Sequence, residues 1–585
     1  MSQAVTQQPA IETGGSNKII IVSTRAPEND PKKPISGGMA PAVRDASVFF
    51  DSATWFGVKK KGGVILNGDL GMEFEAAVDV SEIEEFQKEG IGIVLITADE
   101  YEFEGHYNEF SNGILWPLFH DRTDLTKAAD IMDYSGSAIV NNRLARQIKQ
   151  QLDRDQDAST PIWVHDYHHF NLPPILRAMG VQNPIIFFNH TPLPDPDSLN
   201  EIDETSRVLF QNYIKGFAKT VDAAIFQSDE TADRFLQIAG IVNKDEVPEL
   251  QAYTATQYEF GDHNLTVGNF PISINVDEIS AYANLGGLTD PNGHAQGLRD
   301  QLVADYVFMD FCRADYSKGM TERLKAFKQL LEERPELKGK AQMVIGAEPT
   351  RTDIQSYIDY SDAVKSLAEG LNAQEDLYVD GQPPIVYLPK RIPRADVVQL
   401  FRNDKPDQRK IATITAWRDG MNLVCKEAML AQDPDNAGVL VLSNGAGAAR
   451  EHGFAENAVL YTPDLNDQRE LVDALYEAVN MPQEEANRRA QAAQEHLRMY
   501  SLEQWSLAHV QLINMIPGHD SAAHFEKDEM QITKLRASVG DAQAQRMVIP
   551  KQENDRVIFN FGPNQIGEAV QADVKFETGK INYEV

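Results

Sequence analysis

Short apolar runs rich in β-branched residues recur along the chain, and they constrain its fold more than any other feature. The first series comprises Lys18–Ser23, Ile93–Thr97, Pro161–Asp166, Pro184–His190 and Ala223–Ser228. The second series comprises Val307–Cys312, Met343–Ala347, Ile385–Leu388, Ile411–Thr415, Val439–Ser443 and Ala458–Tyr461. Runs of this kind are typical of strands buried on both faces of a parallel sheet. Because helix-like segments separate them, the sequence predicts an α/β protein with two doubly wound sheets.

The two series are separated by the Pro- and Gly-containing stretch Gly268–Glu278, which is interpreted as a hinge. Residues 1–17 have neither a basic start nor an apolar core, which predicts a disordered lead-in rather than a signal peptide. The predicted units that follow are a first domain over 18–272, a second over 273–500, a helix over 501–516 that returns to the first domain, and an accessory tail over 517–585.

The tail from residue 517 changes character and contains segments that alternate apolar and polar residues. Its last segment predicts a hairpin that turns at Thr578 and Gly579. We interpret the tail as an accessory β element or an oligomer contact, so a homo-oligomer stays open.

The charge balance excludes several classes of function. The chain carries 54 basic and 88 acidic residues, a net charge of -34, which opposes binding to nucleic acid or to an anionic membrane surface. No run reaches the roughly 18 apolar residues that a membrane-spanning helix needs. The only cysteines, Cys312 and Cys425, do not form a disulfide framework, which favours a reducing, cytoplasmic location.

The motif RDGMNLVCKE, residues 418–427, follows one of the apolar runs of the second series. It predicts a helix with Asp419 and Gly420 at its amino end, whose exposed N–H groups favour a pyrophosphate. Glu427 lies four residues after Leu423, on the same helical face, where its carboxylate can accept ribose hydroxyls. The alternative from spacing alone is an N-capping Asp419 and a solvated Glu427.

A second basic motif, FCRADYSKG, covers residues 311–319 and also follows an apolar run. Arg313 and Lys318 lie five residues apart across a predicted strand-to-helix turn, so both cations can converge on one diphosphate. Cations are disfavoured at a helix amino end unless an anion is bound, so a merely solvated basic pair is the weaker interpretation.

Polar residues also follow the strands of the first series. Arg25 follows the first strand, and the pair Gly37 and Gly38 precedes a predicted helix, where glycine allows close approach of a phosphate. Asp166 and His190 end neighbouring strands and can meet at one sheet edge to bind sugar hydroxyls.

Three aromatic residues and a histidine-rich region complete the candidate site. Trp55, Tyr107 and Trp116 are candidates for packing against sugar rings, with a core position as the alternative. A metal site is a competing interpretation of the histidine-rich region, although no cysteine partners or HExxH pattern accompany it. Its residues are His165, Asp166, His168, His169 and His190.

Taken together and in this order, these motifs resemble the trehalose-6-phosphate synthase family. RDGMNLVCKE combines with HDYH, HTPLP, DYSKG and YNEFSNGILWP over residues 18–515. The resemblance implies a GT-B arrangement of two facing Rossmann-like domains and retaining transfer of glucose from UDP-glucose to glucose-6-phosphate, giving α,α-trehalose-6-phosphate. It also implies no cofactor, no metal and a separate trehalose-phosphate phosphatase.

The resemblance also assigns roles to residues. The implied donor-binding residues are Gly37, Gly38, His190, Arg313, Lys318, Ile392, Asp419, Gly420, Met421, Asn422, Leu423, Val424 and Glu427. The implied acceptor-binding residues are Arg25, Trp55, Tyr107, Trp116, Asp166 and Arg351. The residues implied to be catalytic are Arg313, Lys318, His190 and Asp166.

The chain departs from the family pattern at a few positions. Ala314 stands where the family usually has leucine, and residues 443–449 read SNGAGAA rather than SEFAGAA. Ile392 aligns where an aromatic residue near the base is frequent, which leaves the base of the donor open. Another phosphorylated acceptor, such as glycerol-3-phosphate or a pseudosugar phosphate, and a non-catalytic ligand-sensing role are the remaining alternatives.

Overall fold

A computed structural model describes most of the chain between residues 18 and 516. The described residues are 18–27, 29, 39–47, 49–61, 83–126, 135–242, 253–260, 263–459 and 463–516, with the backbone of 549–553, 556–560 and 578–579. The predicted disordered lead-in, Gly37, Gly38 and most of the tail lie outside these residues.

The first sheet is built mainly from the apolar runs of the first series. Its strands are β1 Lys18–Val22, β2 Ser52–Lys60, β3 Ile83–Lys88, β4 Ile91–Ala98, β5 Ile162–His165, β6 Ile185–Phe188, β7 Ala223–Phe226, β8 Thr254–Phe260 and β9 His263–Asn269. Their order is β8-β9-β7-β6-β5-β1-β2-β4-β3, parallel except for the edge pairs β3/β4 and β8/β9. The prediction omitted β2 and these edge strands except β4, because none of them forms a continuous apolar run, and no residue of β3 is buried.

Helices connect these strands and cover the sheet. They are α1 Met39–Ser47, α2 Glu100–Phe103, α3 Trp116–Phe119, α4 Ser135–Asp155, α5 Leu172–Ala178, α6 Glu204–Ala218 and α7 Asp229–Ile238. A π-helical segment, Glu104–Leu115, joins α2 to α3.

The second sheet is all parallel, in the order β12-β11-β10-β13-β14. Its strands are β10 Tyr306–Arg313, β11 Ala341–Glu348, β12 Ile385–Leu388, β13 Arg409–Ile414 and β14 Val439–Leu442. Its helices are α8 Val276–Ala283, α9 His294–Gln301, α10 Met320–Glu333, α11 Gln355–Asn372, α12 Arg394–Phe401, α13 Leu423–Leu430, α14 Ala455–Ala458, α15 Gln468–Asn480 and α16 Gln483–Met499. The two sheets confirm the predicted α/β class of two facing Rossmann-like domains.

One predicted β element is wrong, and another lies partly outside the described residues. In the run Ala458–Tyr461, Ala458 ends helix α14 and Val459 forms a bridge to Leu440, whereas residues 460 and 461 are outside the described part of the chain. Thr578 and Gly579 form a short strand, β17, that pairs in parallel with edge strand β8, so they are not a hairpin turn. The antiparallel pair of the tail is instead β15 Ile549–Glu553 with β16 Arg556–Asn560.

The last helix of the main body, α17 Leu502–Met515, packs on the first sheet. Trp505 donates to the carbonyl of Phe270 at 3.1 Å, and its ring lies 5.8 Å from that of Trp163. The chain therefore passes between the two sheets twice, before α8 and again before α17. The two passages touch each other, because Leu502 N–H donates to Ile274 at 3.0 Å. Among the described residues, no helix combines the length and apolar character needed to cross a membrane.

Candidate active site

A cleft of about 850 Å³ lies between the two sheets, at the carboxyl ends of their parallel strands. This is the position that doubly wound sheets offer to ligands. The predicted site residues that line it are Arg25, Tyr107, Asp166, His190, Arg313, Lys318, Ile392, Asp419, Met421, Asn422, Leu423, Val424 and Glu427. The described candidates that do not line it are Trp55, Trp116, Arg351 and Gly420.

Lys318 and Asp419 form the central ion pair of the cleft. The Lys318 ammonium lies 2.6 Å from Asp419 Oδ2, and the two side chains are only 10% and 18% exposed. Burial alone would raise the pKa of Asp419, but the Lys318 charge holds it below the usual range. Arg313 ends β10 at the same cleft, with a side chain 41% exposed. Two cations from the FCRADYSKG motif thus face one space; Lys318 is paired closely with Asp419, and Arg313 lies 3.9 Å from Asp315 Oδ2.

The first residues of the RDGMNLVCKE motif form a loop and the later ones form a helix, which corrects the predicted helix start. Asp419 N–H bonds to Gly445 in an extended bridge, and α13 begins only at Leu423. Asn422, at φ 74°, is the N-cap and accepts from Cys425 N–H, so Asp419 is not the N-cap either. The first helical N–H groups, those of Leu423 and Val424, have no acceptor within the helix. They line the cleft and favour an anion there.

Gly420 brings the loop against the first domain. A Cβ atom on Gly420 would lie 1.8 Å from the carbonyl oxygen of His190 and 3.3 Å from Thr191 Cα, both on the other side of the cleft. The preceding Arg418 donates to Asp121, also in the first domain, at 2.9 Å. The absence of a side chain at position 420 therefore permits this contact between the two halves.

Glu427 and Arg394 form an ion pair at the far end of the cleft. Arg394 donates to Glu427 Oε1 from Nε at 2.9 Å and from a terminal nitrogen at 2.6 Å, and it also reaches Glu278 at 3.0 Å. Burial raises the pKa of Glu427, and the Arg394 charge opposes that shift. Glu427 is thus a buried, paired carboxylate, which contradicts the alternative of a solvated helix residue.

Arg25 and Tyr107 meet on the first-domain side. The Arg25 guanidinium donates to the Tyr107 hydroxyl at 2.8 Å and lies 5.6 Å from its ring centroid. The Tyr107 ring in turn stacks on His168 at 5.6 Å with an angle of 7°. A phosphate-binding pair predicted from residues 82 positions apart is therefore brought together at the cleft.

Trp55 is placed differently from its prediction. It is completely buried in the core, and its indole N–H donates to Ser23 at 2.8 Å. Its ring therefore does not contact the cleft, because β2 points it toward the sheet interior. The predicted contact of Trp55 with a sugar stays a prediction, and the core position is the alternative that its burial favours.

Trp116 and Arg351 lie behind the cleft rather than on its surface. The Arg351 guanidinium is 4.1 Å from the Trp116 ring centroid, bonds to the Tyr357 hydroxyl, and pairs with Asp315 at 3.0 Å. Burial alone would raise the pKa of Asp315, but Arg351, Arg313 and Lys318 lower it to about 2. Asp315 stays anionic and holds Arg351, whose side chain is only 4% exposed. The predicted phosphate contact of Arg351 stays a prediction, and in this structure its guanidinium has Asp315 and Tyr357 as partners.

Asp166 and His190 meet at the sheet edge, as their strand-end positions predicted. The backbone N–H of His190 donates to Asp166 Oδ1 at 3.2 Å. Burial raises the pKa of Asp166 to about 7, although hydrogen bonds from the backbone of Tyr167 and His190 oppose the shift. Burial lowers the pKa of His190 to about 3, so its imidazole is neutral. Among the described residues, no group of three or more His, Cys, Asp or Glu side chains is placed to hold a metal ion.

Several cleft residues were missed in the sequence. Lys390, Arg391 and Arg394 line the cleft directly after β12, and Gln227 lines it directly after β7. Each follows a predicted strand, so the rule that polar residues after parallel strands meet at the cleft would have found them.

The family model of glycosyltransferase family 20 matches residues 17–515. A trehalose-6-phosphate synthase from Cronobacter sakazakii is 31% identical over 500 residues, which make up 86% of this chain and 96% of that protein. The chain belongs to glycosyltransferase family 20. The resemblance drawn from the motifs is confirmed.

Solved structures resemble this family 20 glycosyltransferase along nearly their whole length. One from E. coli, bound with UDP-2-fluoro glucose, has a TM-score of 0.69 and 28% identity and covers 85% of this chain and 99% of that chain. A UDP-forming α,α-trehalose-phosphate synthase from Burkholderia xenovorans, in complex with glucose-6-phosphate, has a TM-score of 0.68 and 30% identity and covers 85% and 100%.

The departures of this family 20 member from the family pattern fall at packed positions. Ala314 is 3% exposed, in the core of the second domain. In the SNGAGAA segment the departing residues are Asn444 and Gly445, and a Cβ on Gly445 would lie 2.0 Å from the Trp417 carbonyl oxygen. The Gly445 carbonyl accepts from Asp419 N–H at 3.0 Å, so this departure acts on the support of the loop that contains Asp419.

Proposed function

We propose that this family 20 glycosyltransferase transfers glucose from UDP-glucose to glucose-6-phosphate with retention, giving α,α-trehalose-6-phosphate and UDP. The observation that carries the proposal is the convergence of Arg313, Lys318 and the N–H groups of Leu423 and Val424 on one cleft. Cations and helix amino ends are the groups that bind a diphosphate. The net charge of -34 makes such a convergence specific rather than a general property of the surface.

The second domain, residues 273–500, holds the donor in this proposal. Lys318 and Arg313 neutralise the diphosphate, the 420–424 segment supplies N–H groups, and Glu427 accepts ribose hydroxyls. In the structure Asp419 is the counterion of Lys318 at 2.6 Å. A diphosphate that takes over Lys318 frees Asp419 to accept hydroxyl groups of the glucose. In this proposal the apolar side chain of Ile392 lies beside the base of the donor. That this base is uracil is also part of the proposal, and competition between donors tests it.

The first domain, residues 18–272, holds the acceptor, and residues 501–516 belong with it. Arg25 and Tyr107, joined at 2.8 Å, bind the acceptor phosphate, and Asp166 accepts hydroxyls of the acceptor sugar. Gly37 and Gly38, which lie outside the described residues, remain part of the donor site in this proposal. Trp116 and Arg351 lie behind Arg313, where Trp116 supplies a packing surface and Arg351 a positive charge. The Arg313 guanidinium lies 5.5 Å from the Trp116 ring centroid.

The chemistry follows from charge neutralisation and positioning. The bond between the glucosyl anomeric carbon and the UDP oxygen breaks, and the anomeric oxygen of the acceptor bonds to the same face of that carbon. The acceptor proton passes to an oxygen of the departing diphosphate. Arg313 and Lys318 stabilise the negative charge that develops on this leaving group, which is the largest contribution a fixed site can make.

The proposed cellular setting follows from the same features. A cytoplasmic location suits a chain whose two cysteines are both unpaired thiols. No cofactor or metal enters the proposed reaction, and removal of the phosphate from the product requires a separate phosphatase. A homo-oligomer built through the tail remains open to measurement.

The test is UDP release and product structure with purified protein. UDP-glucose is mixed with glucose-6-phosphate or with glycerol-3-phosphate, and ADP-glucose and GDP-glucose serve as competing donors. We expect UDP release with glucose-6-phosphate, and a disaccharide phosphate whose NMR spectrum shows two α-anomeric protons. Inverted stereochemistry or preference for glycerol-3-phosphate contradicts the assignment. A protein that binds both substrates without UDP release would be a sensor instead.

A further inference from the structure

Gln227 is a buried cleft residue to which the proposed reaction gives no role. It follows β7, and its side chain is 2% exposed. Its Oε1 accepts the backbone N–H of Ile272 at 2.8 Å, and its Nε2 lies 3.3 Å from His190 Nδ1. Ile272 belongs to the stretch that joins the two domains. Gln227 therefore connects this linker to the histidine at the centre of the cleft.

The hydrogen-bond chemistry of these contacts fixes the protons. A backbone N–H only donates, so the Gln227 atom that faces Ile272 is the oxygen. The atom that faces His190 is then the amide NH₂ group, which has no acceptor capacity. His190 Nδ1 must therefore accept, and its single proton is on Nε2. That N–H lies 3.2 Å from His165 Nδ1 and donates to it.

We propose that Gln227 is a positioning residue that keeps His190 in the Nε2-protonated form and fixes the position of its ring relative to the domain linker. The proton on one imidazole nitrogen is set by the partner of the other. Because Gln227 occupies Nδ1, a ligand can reach only Nε2, and there His190 acts as a hydrogen-bond donor. A sugar hydroxyl oxygen takes the place of His165 as the acceptor.

The linker end of this connection continues into the second domain. The carbonyl of Ile272 accepts from the Lys426 ammonium at 2.9 Å, and Lys426 belongs to α13. The Lys426 ammonium also pairs with Glu451 at 2.6 Å, with both side chains at most 3% exposed. The backbone of one residue, Ile272, thus joins His190, through Gln227, to the helix whose amino end faces the cleft. Three hydrogen bonds connect His190 to α13: His190 to Gln227, Gln227 to the Ile272 N–H, and the Ile272 carbonyl to Lys426.

The role of His190 toward a sugar hydroxyl rests on the proposed function, whereas the position of the proton on the His190 ring does not. Gln227→Glu keeps the shape and replaces the NH₂ group by an acceptor, which requires a proton on His190 Nδ1. Gln227→Leu keeps the volume and removes both hydrogen bonds. We expect Gln227→Glu to reverse the tautomer of His190, and both variants to lose at least about tenfold in kcat, on the scale of a misplaced ligand contact. The donor KM should change less.

The experiment combines NMR and kinetics on the full chain. Long-range ¹H–¹⁵N spectra of ¹⁵N-histidine protein distinguish the two tautomers, and the His190→Gln spectrum assigns His190 among the 13 histidines by difference. The spectra are recorded without substrates, so they test Gln227 even if the parent chain releases no UDP. An Nδ1–H tautomer in the parent overturns the inference. It is overturned equally if Gln227→Glu, folded by circular dichroism, keeps the parent tautomer and kcat.

Discussion

Replacement of Gly420 by alanine tests whether the contact between the two domains determines activity. The new Cβ would lie 1.8 Å from His190 O, whereas real Cβ atoms essentially never approach closer than 3.0 Å. The 419–424 loop and His190 must therefore separate by more than about 1 Å, a displacement that costs on the order of a hundredfold in rate when it affects a reacting geometry. We expect kcat/KM for UDP-glucose to fall about a hundredfold.

The location of the contact makes the expected result distinctive. The clash lies between domains, so rotation at the linker can relieve it without unpacking either core. Gly420→Ala should therefore lose activity while its melting temperature changes little. Gly438→Ala is the matched control, because its Cβ would lie 2.5 Å from Lys410 O inside the second domain. That clash cannot be relieved by domain motion, so Gly438→Ala should lower the free energy of unfolding by about 1–3 kcal/mol while the folded fraction stays active.

The assay is UDP release at varied UDP-glucose, normalised to the folded fraction from thermal denaturation. Gly216→Ala serves as the second control, because nothing lies within 4 Å of that position on helix α6. It should be neutral or slightly stabilising. If Gly420→Ala retains kcat/KM within about threefold of the parent, the close approach of the loop to His190 does not matter for the reaction, and the reasoning fails.

Three further outcomes are expected. Arg313→Ala should lower turnover by at least about a hundredfold in the same assay, because a fixed cation no longer stabilises the leaving group, and near-normal turnover would refute that role. Asp166 has a pKa of about 7 and accepts hydroxyls more strongly when ionised, so kcat/KM for glucose-6-phosphate should rise with pH up to about 7 and then level off. Asp166→Asn should remove this limb, and a profile that persists in the variant assigns it to the substrate phosphate instead. Lys426→Met leaves buried Glu451 with His496, at 2.8 Å, as its remaining partner, so urea denaturation should show a loss of about 3–5 kcal/mol, whereas an unchanged midpoint contradicts a stabilising Lys426–Glu451 pair.

The sequence predicted the parts of the fold that depend on local pattern. Continuous apolar runs such as Ile185–Phe188 became central parallel strands, because burial on both faces leaves a strong signal. Edge strands such as β3, whose residues are all exposed or half-buried, were missed because no continuous apolar run marks them. The start of α13 was misplaced by four residues because Asn422 at φ 74° caps the helix, and a left-handed asparagine is not evident from an N-cap pattern that also fits Asp419.

The site residues that could be predicted are those identified by their charge and by their position after a strand. Lys318, Asp419 and Glu427 line one cleft because each follows a parallel strand or lies on the helix after it. The depth of Trp55 and Arg351 could not be predicted, because it depends on which face of a strand or loop meets the core. Gln227 directly follows β7, so its position after a strand would have indicated a cleft residue, but its contact with Ile272 could not be predicted because it depends on a backbone N–H from a distant segment.

The two chain passages between the domains have a mechanical consequence. They are held together by the hydrogen bond from Leu502 to Ile274, and the rings of Tyr253 and Tyr500 stack 5.8 Å apart beside them. Two attachments at one place form a single pivot, so the halves can swing but cannot slide apart. Atoms near the pivot, such as the Ile272 peptide, move least during a swing, and atoms at the outer rim of the cleft move most. Opening of the cleft to substrates is therefore a rotation of one domain about this pivot rather than a separation of the two domains.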